Sequence, residues 1–287
     1  MTNQTIAGDS LSARIKQALD QLPKAEKQLA TMILQSPGQM ASYSASEIAR
    51  LAGVSNATMT RLVRRLGYES YEQMRRLARE GMTWGSPLFL LDRSSDVPQS
   101  AGSDPFADHI LASTRNINES FAGIAPSTIE EVGRQVAAAR QIRVFGQRNN
   151  YFFAAYLRWQ FIQFRSNVYL LPVSGETLGE YLVGLMPDDL FIVFGLRRRQ
   201  PGLASLITAV RQFGAKVVLV TDTASGEDFG ADWTLKCQTD SPIPLDNHVA
   251  VMALCHVLSA QLITHAGRRG RQRLAKIEDL HAQLGEL

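Results

Sequence analysis

Five short apolar segments, alternating with helical sequence, constrain the fold of this chain more than any other feature. They are rich in β-branched residues and occupy residues 141–146, 167–172, 189–195, 215–222 and 232–237. Segments with helical spacing, each of ten or more residues, lie between the first four. Strands that alternate with helices form parallel βαβ units. The pattern therefore predicts an α/β domain whose parallel sheet is flanked by helices on both faces.

An all-α domain is predicted upstream of the sheet. From Leu11 to about Gly81 the apolar residues recur at helical spacing, as in IKQALDQL and EKQLATMIL. A stretch dense in Ser, Pro, Asp and Gly follows and includes DRSSDVPQSAGSDP, a composition typical of a linker. We therefore expect a helical domain over residues 1–85, a linker over 86–105 and an α/β domain over 106–287.

Residues 44–68, SASEIARLAGVSNATMTRLVRRLGY, have the pattern of two helices joined by a tight turn. Gly53 supports the turn, and Ser55 is placed to cap the second helix. Apolar residues on that helix recur at i, i+3, i+4 and i+7, which predicts one buried stripe made of Met59, Leu62, Val63 and Leu66. The opposite face carries short polar groups and then cations, as in a recognition helix that enters the major groove of DNA.

Two kinds of DNA contact are predicted from this domain. Asn56 and Arg61 are candidates for base readout, whereas the cations further along are candidates for phosphate contacts, which position without specifying sequence. The predicted DNA-contacting set is Ser55, Asn56, Ala57, Thr60, Arg61, Arg64, Arg65 and Arg75. The charge distribution agrees, since residues 1–85 carry 11 Lys or Arg against 7 Asp or Glu, and residues 86–287 carry 19 against 20. The alternative is a plain helical hairpin with a solvated polar face.

The sequence also resembles a known family. The segment from EKQLATMILQSP through ASEIARLAGVSNATMTRLVRRLGYESYEQMRRL is similar to the N-terminal domain of the RpiR family of bacterial transcriptional regulators. Those regulators join this domain to a sugar isomerase (SIS) domain, a parallel α/β sandwich that binds phosphosugars. The order of strands and helices in residues 106–265 is similar to that of an SIS domain. The resemblance implies a double-stranded DNA operator and a small-molecule effector as partners.

Two loops are candidates for the effector site. A ligand of a doubly wound sheet binds beyond the carboxyl ends of the strands, where loops lead into helix N-termini. The loops Gly146-Gln-Arg-Asn-Asn150 and Gly195-Leu-Arg-Arg-Arg-Gln200 qualify by position. The family resemblance implies phosphate-binding serines there, in patterns such as GxGxS and SxSGxT, and this sequence has neither. Because arginines and helix N-termini still favour an anion, a sugar phosphate, a sugar acid and another carboxylate all remain open.

The candidate ligand-binding set is Arg148, Asn149, Asn150, Ser174, Glu176, Arg197, Arg198 and Arg199. Ser174 and Glu176 belong to the loop after the second apolar segment, where they either contact the ligand or cap a helix. For the three consecutive arginines the sequence leaves three environments open. They form an anion site, pair with acids across a subunit interface, or lie in solvent.

The function that these patterns favour is a ligand-responsive transcriptional regulator without enzymatic activity. Such a protein would act as a homodimer or homotetramer, because paired recognition helices read paired half-sites. One alternative is a phosphosugar isomerase, which needs a carboxylate or histidine base beside the sugar. The other is a ligand-independent DNA-binding protein.

The remaining composition argues against metal, cofactor and membrane. Cys237 and Cys255 have neither metal-ligand spacing nor the number needed for a disulfide framework, so we interpret them as buried apolar residues. No segment approaches the roughly 18 uninterrupted apolar residues of a membrane helix, and the N-terminus lacks the apolar core of a secretory signal. We therefore expect a cytoplasmic protein without cofactor, metal or membrane contact.

Overall fold

The computed structural model describes residues 11–35, 40, 43–83, 104–197, 199–200, 202–225, 228–243 and 245–286. The chain falls into two compact units, the first made of Met1–Pro105 with Pro242–Leu245 and the second of Phe106–Ser241 with Asp246–Leu287. Most of the predicted linker, together with Arg198, lies outside the described residues. The predicted domain limits therefore stay a prediction.

The first unit is helical, as the sequence predicted. Its described elements are α1 (Leu11–Ala18), a 3₁₀ turn (Leu19–Gln21), α2 (Lys24–Gln35), α3 (Ala45–Leu51), α4 (Asn56–Arg65) and α5 (Tyr71–Thr83). Apolar residues from all five helices share one core, which includes Ile15, Leu29, Ile33, Ile48, Met59, Leu62 and Met74. Short helices of this kind are stable mainly because their apolar faces pack together.

The second unit alternates strands and helices. Its strands are β1 (Ile142–Gly146), β2 (Val168–Leu171), β3 (Leu190–Phe194), β4 (Lys216–Asp222) and β5 (Trp233–Cys237). Its described helices are α6 (Pro105–Ala122), α7 (Pro126–Ala138), α8 (Asn149–Ile162), α9 (Gly179–Leu182), α10 (Leu203–Gln212) and α11 (Val249–Leu284). Each strand coincides with one of the five predicted segments.

The five strands form one sheet in the order β2-β1-β3-β4-β5, and every neighbouring pair is parallel. The prediction of a parallel sheet is therefore confirmed. The strand order reverses between β1 and β3, which makes the carboxyl ends of these two strands the switch point of the sheet. The loops that follow β1 and β3 are the two that the sequence singled out.

The two faces of the sheet bury different residues, because successive side chains of a strand point to opposite sides. One face packs against α7, α8 and α11 through Ile142, Val144, Ile192, Phe194, Val218 and Val220. The other packs mainly against α10 through Phe145, Phe191, Val193, Val217 and Leu219. Both faces of β1, β3 and β4 are thus covered, which explains why these strands are almost continuously apolar.

Both cysteines are free and buried in this unit. Burial raises the pKa of the Cys237 thiol to about 12 and also raises the pKa of Cys255. A thiol that stays protonated is a poor nucleophile and a poor metal ligand. Both cysteines therefore behave as small apolar residues.

Among the described helices, α11 is long and apolar enough to cross a membrane, judged by length and composition alone. Its apolar side chains include Val251, Leu254, Leu258 and Leu262, which are buried against the sheet and its flanking helices. A core helix of this kind passes the same test of length and composition. Packing within the α/β unit accounts for these buried side chains, and 39% of the apolar 18-residue segment as a whole is buried.

Candidate functional site

The first candidate site is the helix pair α3 and α4 of the helical unit. Helix α3 begins with a capping box, in which the Ser44 hydroxyl accepts from the Glu47 amide and the Ser44 amide donates to the Glu47 carboxylate. Gly53 has φ +67° in the turn that follows, a conformation that favours glycine. The Ser55 hydroxyl then accepts from the Thr58 amide at 3.2 Å, which begins α4 as the sequence predicted.

Helix α4 has two distinct faces. Met59, Leu62, Val63 and Leu66 are all buried, as expected from their spacing. Seven of the eight predicted DNA-contacting residues lie together on the exposed face: Ser55, Asn56, Ala57, Thr60, Arg61, Arg64 and Arg65. The eighth, Arg75, lies on α5 with a side chain only 20% exposed, and its Nη1 is 3.4 Å from the Glu72 carboxylate.

A buried carboxylate on another helix contacts two arginines of this face. Glu26 on α2 is 4% exposed, and its carboxylate accepts a hydrogen bond from Arg65 Nε at 2.8 Å. The Nε atom of Arg61 is 3.8 Å from the other oxygen of Glu26, and Arg61 Nη2 donates to the Thr58 hydroxyl. Two of the predicted DNA-contacting cations are therefore oriented from within the unit. The sequence pattern gave no signal for Glu26, because it lies 39 residues from Arg65.

Replacing Glu26 by glutamine should lower the free energy of unfolding of the helical unit by about 1 kcal/mol. A hydrogen bond between charged groups contributes more to stability when both groups are buried. The expected loss is small because the Arg65 side chain is 47% exposed and solvent screens the pair. Urea unfolding monitored by circular dichroism measures the change. Glu72→Gln is the matched control, because that carboxylate is 71% exposed and its loss should leave stability nearly unchanged. Equal effects of the two variants would contradict a supporting role for Glu26.

The second candidate site lies at the switch point of the sheet. After β1, Arg148 has φ +56° and is exposed, Asn149 begins α8 and is also exposed, and Asn150 is buried. The first turn of α8 comes so close to the strand that a Cβ on Gly146 would lie 2.2 Å from the Asn150 carbonyl oxygen. Glycine at this position thus brings the N-terminus of α8, the positive end of the helix dipole, to the edge of the sheet.

The loop after β3 is tied down by two ion pairs. Arg197 Nη1 lies 2.7 Å from the Asp246 carboxylate, just before α11. Arg199 forms an ion pair with Asp222 at the end of β4, and two of its nitrogens also donate to the Thr221 hydroxyl at 3.1 and 3.3 Å. Both arginines therefore pair with acids of their own chain.

A small cavity lies between the two loops. It has a volume of about 20 Å³, and its polar lining is Gln147, Arg148, Asn150, Arg199 and Gln200. Phe145, Phe194, Gly195 and Leu203 line the remainder. This space holds about one water molecule, whereas pockets for drug-sized ligands have volumes of about 300–1,000 Å³. The cavity in this structure is therefore smaller than a ligand of sugar size.

The remaining described residues of the predicted ligand-binding set lie outside the cavity wall. Ser174 and Glu176 are exposed in the turn that follows β2, at the carboxyl edge of the sheet, and neither is among the described residues that line the cavity. Arg197 does not line it either, since its side chain turns to Asp246. The structure thus brings together Arg148, Asn150 and Arg199 of the predicted set.

Three acceptors at this edge were missed by the sequence reasoning: Thr221, Asp222 and Asp246. The Thr-Asp pair that ends the segment AKVVLVTD was an available signal, because polar residues at the carboxyl end of a parallel strand face the ligand edge. His248 lies beside Asp246, and its ring centroid is 4.9 Å from that of Phe153. Burial lowers the pKa of His248, and the nearby Asp246 and Asp222 carboxylates partly offset this effect.

No group of three or more His, Cys, Asp or Glu side chains arranged to hold a metal ion occurs in the part of the chain that the structure describes. A helix pair of this form in one unit and a parallel α/β sheet in the other are an organisation typical of a transcriptional regulator.

Comparison with known proteins agrees with this class. The model of the rpiR-family helix-turn-helix domain matches residues 10–80, and the model of the SIS domain matches residues 135–262. The transcriptional regulator HexR of Pseudomonas aeruginosa is 23% identical over 277 residues, which cover 94% of this chain and 95% of HexR. The bifunctional protein glk of Burkholderia lata is 23% identical over 90% of this chain, but the match spans only 39% of that protein.

Solved structures show the same fold. The sugar isomerase domain of an RpiR transcription factor from Sphaerobacter thermophilus has a TM-score of 0.56 at 20% identity and covers 60% of this chain and 97% of its own. NanR of Vibrio vulnificus, solved in complex with ManNAc-6P, has a TM-score of 0.53 at 17% identity, with 96% and 98% coverage. The chain belongs to the RpiR family of transcriptional regulators, with an N-terminal helix-turn-helix domain and a C-terminal SIS domain.

Proposed function

We propose that this RpiR-type regulator binds a DNA operator through α4 and responds to a small anionic metabolite at the switch point of its SIS domain. The metabolite is a sugar phosphate, a sugar acid or another carboxylate. The protein acts in the bacterial cytoplasm as a homodimer or homotetramer. The observation that carries the proposal is the cavity between the β1 and β3 loops, whose wall includes Arg148 and Arg199, in the same chain as an exposed helix with the pattern of a recognition helix.

The exposed face of α4 supports the DNA-binding half of the proposal. Asn56 and Arg61 are on the same exposed side of the helix, where they reach base edges in the major groove. Arg64, Arg65 and Arg75 contact phosphates, and Ser55, Ala57 and Thr60 complete the face near the helix N-terminus. The exposed side chains are anchored by the buried stripe beneath them, so the face is presented as one rigid surface.

The effector half rests on charge and helix geometry. Arg148 is exposed at the N-terminus of α8, where the partial positive charge of the helix and its N–H groups favour an anion. Asn149, the first residue of α8, and Ser174 and Glu176, in the turn after β2, are exposed at the same edge, from which they contact the body of the metabolite. The NanR complex supports a phosphosugar as one candidate, since that relative was solved with ManNAc-6P.

A regulatory role is favoured over catalysis by the residues around the cavity. Isomerisation of a phosphosugar needs a carboxylate or histidine base within hydrogen-bond reach of the substrate. The described residues that line the cavity supply arginines and amides, and Glu176, the acid of the proposed ligand-binding set, lies exposed outside the cavity wall. The switch point is therefore suited to binding a metabolite without transforming it.

Effector binding would act on DNA through the arrangement of subunits. Paired recognition helices read half-sites about one helical turn, roughly 34 Å, apart. A metabolite that favours one placement of the subunits changes that separation, and a change of a few ångströms weakens or strengthens operator binding.

A thermal-shift screen of the full chain tests the proposal. Sugar phosphates, sugar acids and small carboxylates are added in turn, and an effector at a hundredfold excess over its dissociation constant should stabilise the native state by about 2.7 kcal/mol. Arg148→Ala should abolish that shift. Arg158→Ala, on the same helix but away from its N-terminus, should retain it.

The same metabolite must also change operator affinity in a gel-shift titration. A stabilising metabolite whose effect survives Arg148→Ala would move the effector site elsewhere. Stabilisation without any change in DNA affinity would contradict a regulatory role.

A further inference from the structure

The effector site contains a carboxylate of its own. Asp222 is 1% exposed at the end of β4, and it forms an ion pair with Arg199. The other Asp222 oxygen accepts from the Ala224 amide at 3.0 Å, which fixes the carboxylate in place. Asp222 is therefore a permanent, buried partner of the one β3-loop arginine among the described residues that lines the cavity.

The arginine is held from a second side by Thr221. This buried hydroxyl accepts from Nε and Nη2 of Arg199 and donates to the Gly195 carbonyl at 2.9 Å. Thr221 thus orients the guanidinium so that one edge faces Asp222. Arg199 is only 17% exposed and lines the cavity, whereas Asp222 is not one of the described residues in the cavity wall.

An anion that enters the cavity approaches Arg199, whose positive charge is already balanced by Asp222. Its attraction to Arg199 is opposed by the nearby Asp222 carboxylate, and buried charges in such proximity interact strongly because solvent screens them little. The loss of net attraction falls on every anion and grows with the charge of the anion. Only a ligand with further contacts overcomes it, and the cavity offers the amides of Gln147, Asn150 and Gln200 for such contacts.

We propose that Asp222 is a specificity-determining residue: an internal counter-anion of Arg199 that keeps simple anions out of the effector site. The ligand class that follows is a phosphorylated or carboxylated polyol, in which the anionic group faces Arg148 and Arg199 and hydroxyl groups bind the three amides. This inference rests on the proposed effector site. Physically it is discrimination by a repulsive element, which prevents free phosphate from acting as an inducer.

Inorganic phosphate is the probe, titrated by calorimetry into the full chain and three variants. Asp222→Asn should bind phosphate at least about tenfold more tightly than the native chain, the low end of what close charge pairs contribute. Thr221→Val, which loosens Arg199 without changing the net charge, should shift affinity in the same direction by less. Adding Arg199→Gln to Asp222→Asn should return phosphate binding to the native level.

Asp246→Asn is the matched control. It removes the acid partner of Arg197 from the same loop and adds the same unit of net charge, but Arg197 does not line the cavity. Its phosphate affinity should equal that of the native chain. Equal increases in phosphate affinity for Asp222→Asn and Asp246→Asn would show that net charge alone causes the effect. That result would overturn the inference.

The outcomes separate this inference from the function on which it rests. If a sugar phosphate binds the native chain through Arg148, but Asp222→Asn and Thr221→Val bind phosphate no more tightly, the effector site stands and the role of Asp222 is wrong. If no phosphate, sugar phosphate, sugar acid or small carboxylate binds any of the chains, the effector site itself is wrong. Melting curves without phosphate establish that each variant is folded. If Asp222→Asn does not fold, the phosphate affinity of Thr221→Val tests the role of Asp222.

Discussion

Replacing Gly146 by alanine should lower the free energy of unfolding of the α/β unit by about 3 kcal/mol or more, the upper range for an overpacked core. The added Cβ would lie 2.2 Å from the Asn150 carbonyl oxygen, 2.5 Å from its carbon and 2.9 Å from the Tyr151 amide nitrogen. All three are backbone atoms in the first turn of α8, so the clash is relieved only if the helix moves away from β1. Urea unfolding followed by the fluorescence of Trp159 and Trp233 measures the loss.

Gly179→Ala is the control for that experiment. An added Cβ there meets no atom within 4 Å, and the residue begins the short helix α9. Its stability should be unchanged or slightly raised, because alanine is the better helix former. Comparable losses in the two variants would show that close approach of α8 to β1 is not what requires glycine. A folded Gly146→Ala chain should also bind effector more weakly, since Arg148 and Asn150 move with the helix.

Replacing Arg61 by alanine should lower affinity for the operator by about 10- to 100-fold, the range for one lost bidentate base contact. Affinity for an unrelated duplex should change far less. The Arg61 side chain is 63% exposed, and its contacts are long, 3.3 Å to the Thr58 hydroxyl and 3.8 Å to the Glu26 carboxylate, so little opposes its turning towards a base edge. Fluorescence anisotropy with a duplex selected from a random library, and with a scrambled duplex, gives both affinities.

Arg64→Ala is the matched control, because Arg64 lies on the same exposed face and is assigned to phosphate. It should weaken both duplexes alike and reduce the salt dependence of binding by about one counterion. If Arg61→Ala weakened both duplexes equally, its assignment to base readout would be wrong. A native chain that preferred its selected site by much less than about 10³-fold would favour the ligand-independent binder instead.

The strands and their parallel arrangement were accessible from sequence because burial on both faces leaves a local trace. A segment such as FIVF is apolar at every position since the helices on each side of the sheet require it to be. The two faces of α4 were accessible for a similar reason, as Met59, Leu62 and Val63 recur with the period of the helix itself. In both cases neighbours along the chain carry the information.

The arginines of the β3 loop show where that information ends. Their sequence context left an anion site, an interface and solvent equally open, and the structure shows Arg197 and Arg199 paired within their own chain. Asp246 lies 49 residues from Arg197, and Asp222 lies 23 residues from Arg199. No periodicity links positions so far apart, because the contact exists only once β3, β4 and α11 are assembled at one edge of the sheet.

The sequence by itself determined a helix-turn-helix domain, a parallel α/β domain and the two loops at its switch point, because periodicity and turn residues act locally. Only the tertiary structure decided which charged side chains form ion pairs and which are exposed. It paired Arg65 with Glu26 and Arg199 with Asp222, and it left Arg148 exposed at the N-terminus of α8. The physical reason is that a charge is neutralised by whichever partner packing brings within a few ångströms, and packing depends on the whole fold.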